Sequence, residues 1–235
     1  MTFSLCVHET VDDDDGTPQD WFGVAITTRL PGVGTNCPYA NRHAAIATQS
    51  LSNPALGRRG IDYVRDGLAI EDALEALLNA DAGRASRQVH GVSSTGTFAF
   101  TGDSCRPWSG HHEGPGYTVA GNMLAGEEVI RATAEAYEAG DPALALPERL
   151  IDALAAGQAA GGDGRTDLRV QSAAVRVETT TSFVRTPATH DLRVDATETP
   201  IDDLRLTHEL ALEGHEAALE RYGEFIRADT FDVDA

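Results

Sequence analysis

Polar and apolar residues alternate from Thr2 to His8. Phe3, Leu5 and Val7 lie on one side, and Thr2, Ser4, Cys6 and His8 on the other. A period of two is the signature of a strand with one buried face. Phe22, Val24 and Ile26 repeat the pattern and predict a second strand over 22–28. Between the two lies Asp12-Asp13-Asp14-Asp15-Gly16, a run of charge that predicts an exposed hairpin tip. Further strands are expected over 43–51, 88–93, 97–101, 117–120, 170–178 and 191–195. Ser94-Thr95-Gly96 supplies a hairpin turn between the second and third of these.

The helical segments carry a different period. Two short helices are expected over 59–67 and 70–80, with Leu74, Leu77 and Leu78 as the apolar stripe of the second. A helix should follow Gly126, with Glu127 and Glu128 at its positive end, and stop near Gly140. Pro147 suits the first helical position of a segment running to Ala160, which Gly161-Gly162-Asp163-Gly164 then breaks. Residues 201–227 read as one long helix with a stripe of Ala211, Leu212, His215, Leu219, Tyr222 and Ile226. That stripe suits either a sheet face or a second subunit, so a homo-oligomer stays open.

Hairpins come first, then paired helices, then strands again. This order does not build a doubly wound parallel sheet. It suits an α+β architecture of antiparallel sheets covered by helices. With no linker and no repeat, residues 1–227 are expected to form a single domain, and 228–235 a frayed acidic tail.

Composition narrows the function classes. Of 235 residues, 37 are Asp or Glu and 18 are basic, for a formal net charge of −19. Every basic residue is arginine and lysine is absent. Repulsion on this scale is largely screened at about 1 M salt, where the Debye length is roughly 3 Å. The balance therefore predicts a protein of a salty cytoplasm. A nucleic-acid partner is not expected, because phosphate backbones need a basic footprint. Residues 1–30 lack the basic start and apolar core of a signal peptide, and no apolar run reaches the roughly 20 residues of a membrane span. Cys6, Cys37 and Cys105 form no CxxC pair, so neither a disulfide framework nor a zinc knuckle is expected.

Four segments offer chemistry. Methionine before a small residue is normally trimmed, which would leave Thr2 first. A terminal threonine carries a nucleophilic hydroxyl and an α-amine of ordinary pKa about 7.7–8.0, a self-contained base. The stretch Thr101–His112 mixes small, polar and aromatic residues after a strand, as binding loops do, and makes His111 a candidate substrate contact. Asn122 ends a strand ahead of a helix and is placed to stabilise an oxyanion. Asp163 and Arg165 are the charges of the glycine-rich loop, suited to an ion pair or to gripping a carboxylate.

Taken in order, several blocks resemble one family. They are Thr2-Phe3-Ser4; Ala47-Thr48-Gln49 with Asn53-Pro54 and Gly57-Arg58-Arg59-Gly60; and Thr101-Gly102 with Cys105, Trp108, Gly110 and His111. Gly121-Asn122-Met123-Leu124, Gln158 to Asp163, Gln171-Ser172-Ala173 and Asp191 to Asp195 follow. The chain resembles the domain of unknown function family 1028 from residue 2 to about 212. The resemblance implies an αββα sandwich like that of the N-terminal nucleophile (Ntn) hydrolases, and amide-bond hydrolysis as its default chemistry. On that reading Thr2 is the nucleophile, Asn122 an oxyanion donor, and Asp163 and Arg165 orient the amine or the substrate. Ser4, Thr48 and His111 line the site, the substrate is a small molecule, and no cofactor or metal is expected. The acidic insertion at Asp12–Gln19 and the stretch Thr166–Val170 depart from the family pattern. Two alternatives stand beside this reading: a non-catalytic binding or scaffold protein of the same fold, and a hydrolase with a metal at His111, His112 and Glu113.

Overall fold

A computed structural model describes residues 2–12, 15–165, 167–180 and 190–228, with side chains to residue 222. Ten strands and five helices are found among the described residues. The strands are β1 (Thr2–Asp12), β2 (Pro18–Thr28), β3 (Pro38–Asn41), β4 (Ala44–Ser50), β5 (Arg87–Ser93), β6 (Gly96–Thr101), β7 (Gly110–Gly114), β8 (Tyr117–Asn122), β9 (Gln171–Thr179) and β10 (Asp191–Thr197). The helices are α1 (Pro54–Arg65), α2 (Ile70–Asn79), α3 (Glu128–Glu138), α4 (Leu146–Ala159) and α5 (Pro200–Ala228). Asp13 and Asp14 of the acidic tip, and the tail from 229 onward, lie outside the described residues.

Six strands form one antiparallel sheet in the order β10-β9-β2-β1-β8-β7, and four form a second in the order β3-β4-β5-β6. Alternation along β1 decides the layering. Phe3, Leu5 and Val7 face one way and join Leu150, Ile151 and Leu154 of α4 and Val129, Ile130 and Ala134 of α3 in the largest core. Cys6 faces the other way and meets Phe22, Val24, Ala45, Ala47 and Val92 between the sheets. The outer face of the smaller sheet packs Ile46 and Val89 against Leu56 and Ile61 of α1 and Leu74, Leu77 and Leu78 of α2. The result is four layers, with α3, α4 and the start of α5 outside the larger sheet and α1 and α2 outside the smaller. Alanines at 45 and 47 keep the inter-sheet layer thin.

Local signals explain the boundaries. Asn53 caps α1 by accepting from the Ala55 N–H at 3.1 Å, and Pro54 occupies the first turn. The helix therefore starts five residues before the expected Arg59. Within it, a Cβ on Gly57 would lie 2.0 Å from the Tyr39 ring, so the glycine admits close packing onto β3. The short strands β3 and β7 were not foreseen. At the start of α5 Ile201, Leu204 and His208 are covered; of the expected stripe, Ala211, His215 and Leu219 are partly covered and Leu212 and Tyr222 are 42% and 52% exposed. Ile226 lies beyond the described side chains.

Candidate active site

The site is built at one end of the larger sheet, where β1 begins and β2 and β8 end. Thr2 is paired across β1 with both neighbours: its Cα partners are Thr28 on β2 and Asn122 on β8. The pairing keeps all three side chains on the face turned toward the second sheet. The Thr2 hydroxyl donates to the Thr28 hydroxyl at 3.1 Å. Thr2 is 9% exposed and Asn122 3%.

Asp163 reaches this sheet end from the other side. Gly161 and Gly162 take positive φ values of 120° and 47° and turn the chain back at the end of α4. Asp163 then forms a bridge with Leu124, two residues beyond Asn122. Its Oδ2 accepts from the Arg29 N–H at 3.2 Å, and Arg29 follows Thr28 directly. Met123, between Asn122 and Leu124, has a φ of 57°, a costly value for a non-glycine residue. Its N–H donates to Arg106 O at 3.1 Å, and its carbonyl accepts from Gly164 N–H at 3.2 Å. Thr2, Asn122 and Asp163 are thus held in one neighbourhood by three backbone segments.

Arg165 grips Asp163 bidentately, Nε to Oδ1 at 3.2 Å and Nη2 to Oδ2 at 3.0 Å, and its own N–H donates to Oδ1 at 2.8 Å. Asp163 is 5% exposed as a residue, so these donors replace the water its carboxylate has lost.

Between the sheets runs a buried polar chain that the sequence reading passed over. Ser4 donates to Gln49 Oε1 at 2.8 Å and meets His90 Nε2 at 2.7 Å. With its single proton on Gln49, Ser4 must accept from His90, so the imidazole carries its proton on Nε2. His90 Nδ1 then accepts from the Thr118 hydroxyl at 2.8 Å. Gln49 Nε2 donates to Gln88 Oε1 at 2.9 Å, and Asn122 Nδ2 donates to the same oxygen at 3.0 Å. Gln88 Nε2 lies 2.9 Å from Gly121 O and 2.9 Å from Thr101 Oγ1. Thr101 Oγ1 in turn meets His111 Nδ1 at 2.9 Å. Burial pushes His90 down to about 3, so it is neutral near pH 7. The signal was present in the sequence: Gln49, Gln88 and His90 sit in phase with apolar positions that face the inter-sheet layer.

The other sequence candidates divide. Ser4 shares the face of Thr2 but is fully buried and already bonded twice. His111 lies on β7, in line with Ala120 and so with Ser4, about 10 Å from β1 by strand spacing. Its link to Asn122 runs through Thr101 and Gln88. Thr48 falls on the opposite face of β4 from Gln49, with Ile46 toward the helices, and is not brought to Thr2. Its hydroxyl is buried without a partner among the described residues. His111 and His112 point to opposite sides of β7, where His112 meets the Tyr117 hydroxyl at 3.2 Å. They do not converge with Glu113. Among the described residues no group of three or more His, Cys, Asp or Glu side chains is placed to hold a metal.

No described helix is long and apolar enough to cross a membrane. A comparison with curated proteins finds no match. The crystal structure of the protein SPO2555 from Silicibacter pomeroyi, described as a DUF1028 member, is similar, with a TM-score of 0.73. The two are 26% identical, over 96% of this chain and 90% of that one. The DUF1028 model, a family of unknown function, matches residues 2–204, and the chain belongs to that family.

Proposed function

We propose that the chain is an amide or peptide bond hydrolase of the N-terminal nucleophile type, acting on a small molecule. One observation carries the reading. Thr2 opens the central strand of the larger sheet, beside Thr28 and directly opposite Asn122. The four layers, with two antiparallel sheets face to face and helices outside, support an Ntn-like sandwich.

On this reading removal of Met1 frees the Thr2 α-amine. The Thr2 oxygen attacks the amide carbonyl carbon and passes its proton to that amine. The tetrahedral oxyanion is met by Asn122. One Nδ2 hydrogen of Asn122 is engaged by Gln88, and on this reading the second donates to the oxyanion. The C–N bond then breaks, and the leaving amine takes the proton held by the α-amine. Water hydrolyses the Thr2 ester and restores the enzyme. Asp163, fixed by Arg165 and by the Arg29 N–H, adds negative charge near the protonated amine.

The test is a panel of small amides hydrolysed by the wild-type chain, Thr2→Ser and Thr2→Ala. Activity kept by serine and lost by alanine supports the reading, and full activity in Thr2→Ala ends it. A second reading has its own support. Thr2 is 9% exposed and its hydroxyl is engaged with Thr28, as a non-catalytic binding or scaffold protein of this fold would have it. Failure of every amide in the panel favours that reading.

We also infer a cytoplasm of high salt as the working environment. The support is the charge of −19 with arginine as the sole cation. A thermal midpoint that rises steadily between about 0.1 M and about 2 M KCl is expected, as screening removes self-repulsion. A flat or falling midpoint contradicts it.

A further inference from the structure

Two rows of side chains face each other between the sheets. Thr28, Thr2 and Asn122 form one row across the larger sheet. Gln49, Gln88 and Thr101 form the other across β4, β5 and β6. Gln88, at the centre of its row and fully buried, spans the gap. Its Nε2 lies 2.9 Å from Gly121 O and 3.0 Å from Gly110 O, the carbonyls of two residues paired across β7 and β8.

Those two carbonyls set the direction of three side-chain amides. A backbone carbonyl only accepts, so the end of Gln88 that faces both must be its nitrogen. The reverse orientation would press Oε1 against two carbonyl oxygens in a buried place, with no donor among them. Oε1 therefore points at Gln49 and Asn122, and both meet it with their nitrogens, at 2.9 and 3.0 Å. Asn122 is thus held by Nδ2. One of its hydrogens is directed at Gln88, and the planar amide fixes the direction of the other.

We propose that Gln88 is the positioning residue of the site: anchored on the carbonyls of Gly110 and Gly121, it orients the Asn122 amide and so aims the Nδ2 hydrogen that meets the oxyanion. The catalytic use of that hydrogen rests on the Thr2 reading above; the orientation of Asn122 does not.

Two variants and two readouts separate these claims. Gln88→Met keeps the length of the side chain and removes both polar ends. Gln88→Glu keeps the acceptor for Asn122 and, when protonated, one donor for the carbonyls. The first readout is solvent exchange of the Asn122 side-chain hydrogens, followed by heteronuclear NMR and assigned by their loss in Asn122→Asp. The second is acylation of Thr2 by p-nitrophenyl acetate over a range of ester concentrations. Gln88→Met is expected to speed the exchange by about fivefold or more. It is also expected to lower the limiting acylation rate by about ten- to hundredfold, with the half-saturating concentration little changed. In Gln88→Glu both effects, relative to the wild type at the same pH, should grow as the pH rises, because an ionised carboxylate donates nothing to Gly110 and Gly121. This variant serves where Gln88→Met fails to fold. Exchange that is unchanged in Gln88→Met, or that tracks the wild type at every pH in Gln88→Glu, overturns the proposal. So does a changed half-saturating concentration with an unchanged limiting rate. A wild-type chain that is not acylated, with Asn122 exchange still dependent on residue 88, refutes the Thr2 chemistry and leaves the orientation standing.

Discussion

Thr2 and Thr28 face each other across β1 and β2 with their hydroxyl oxygens 3.1 Å apart, the first donating to the second. The contact fixes the rotamer of the proposed nucleophile. Thr28→Val keeps the shape and removes the acceptor. A net hydrogen bond of about 1 kcal/mol corresponds to about a five- to tenfold change in rate. The variant should lose that much kcat with KM little changed. An unchanged kcat means that Thr28 does not orient Thr2 for attack.

His90 ties stability to pH. It is fully buried, and burial lowers its pKa from 6.5 to about 3. The unfolded chain takes up a proton near 6.5 that the folded chain refuses. Stability is therefore fully present above about pH 6.5 and falls as the pH drops toward 3. The slope contributed is up to about 1.4 kcal/mol per pH unit. Urea titrations of the wild type and His90→Gln between pH 7 and 4.5 measure it. The variant should show the shallower dependence, whatever its absolute stability; parallel curves contradict the assignment.

Thr48 gives a prediction of the opposite sign. Its hydroxyl is buried and without a partner among the described residues. Thr48→Val replaces that group with a methyl of similar volume. The change should stabilise the fold by about 1 kcal/mol, because an unmet polar group costs more than it returns. A lower thermal midpoint in the valine variant counts against this geometry.

The sequence carried much of this architecture because most strands have one apolar face. Phe3, Leu5 and Val7 alternate cleanly, and β1 follows from them. The strand β7 did not announce itself: it is a short edge strand whose His111, His112 and Glu113 are exposed, so alternation has no apolar member. The start of α1 was legible in Asn53-Pro54, a cap followed by a first-turn proline, but the weak stripe of Gly57-Arg58-Arg59-Gly60 hid it. The stripe of α5 is legible as a pattern but does not name its partner. Periodicity reports amphipathicity, not whether a partner surface is present.

The site shows the same division. Thr2, Asn122 and Asp163 were singled out on chemistry and position, and the fold brings them together. Gln49, Gln88 and His90 were read as ordinary strand residues, because a single strand does not reveal that its polar positions face a second sheet. Thr48 enters the expected site lining with the block Ala47-Thr48-Gln49. Strand alternation sends adjacent residues to opposite faces, and only one of the two lines the inter-sheet layer. The contact of Arg29 with Asp163 carried no signal either, since the two lie 134 residues apart.

Peptide mapping by mass spectrometry, after brief exposure of the purified wild-type chain to a reactive aryl ester, addresses the Thr2 proposal at the reacting atom. The expected result is an N-terminal peptide that begins at Thr2 and carries the acyl group on its hydroxyl, absent from Thr2→Ala. A peptide that begins at Met1 and bears no acyl group would contradict it.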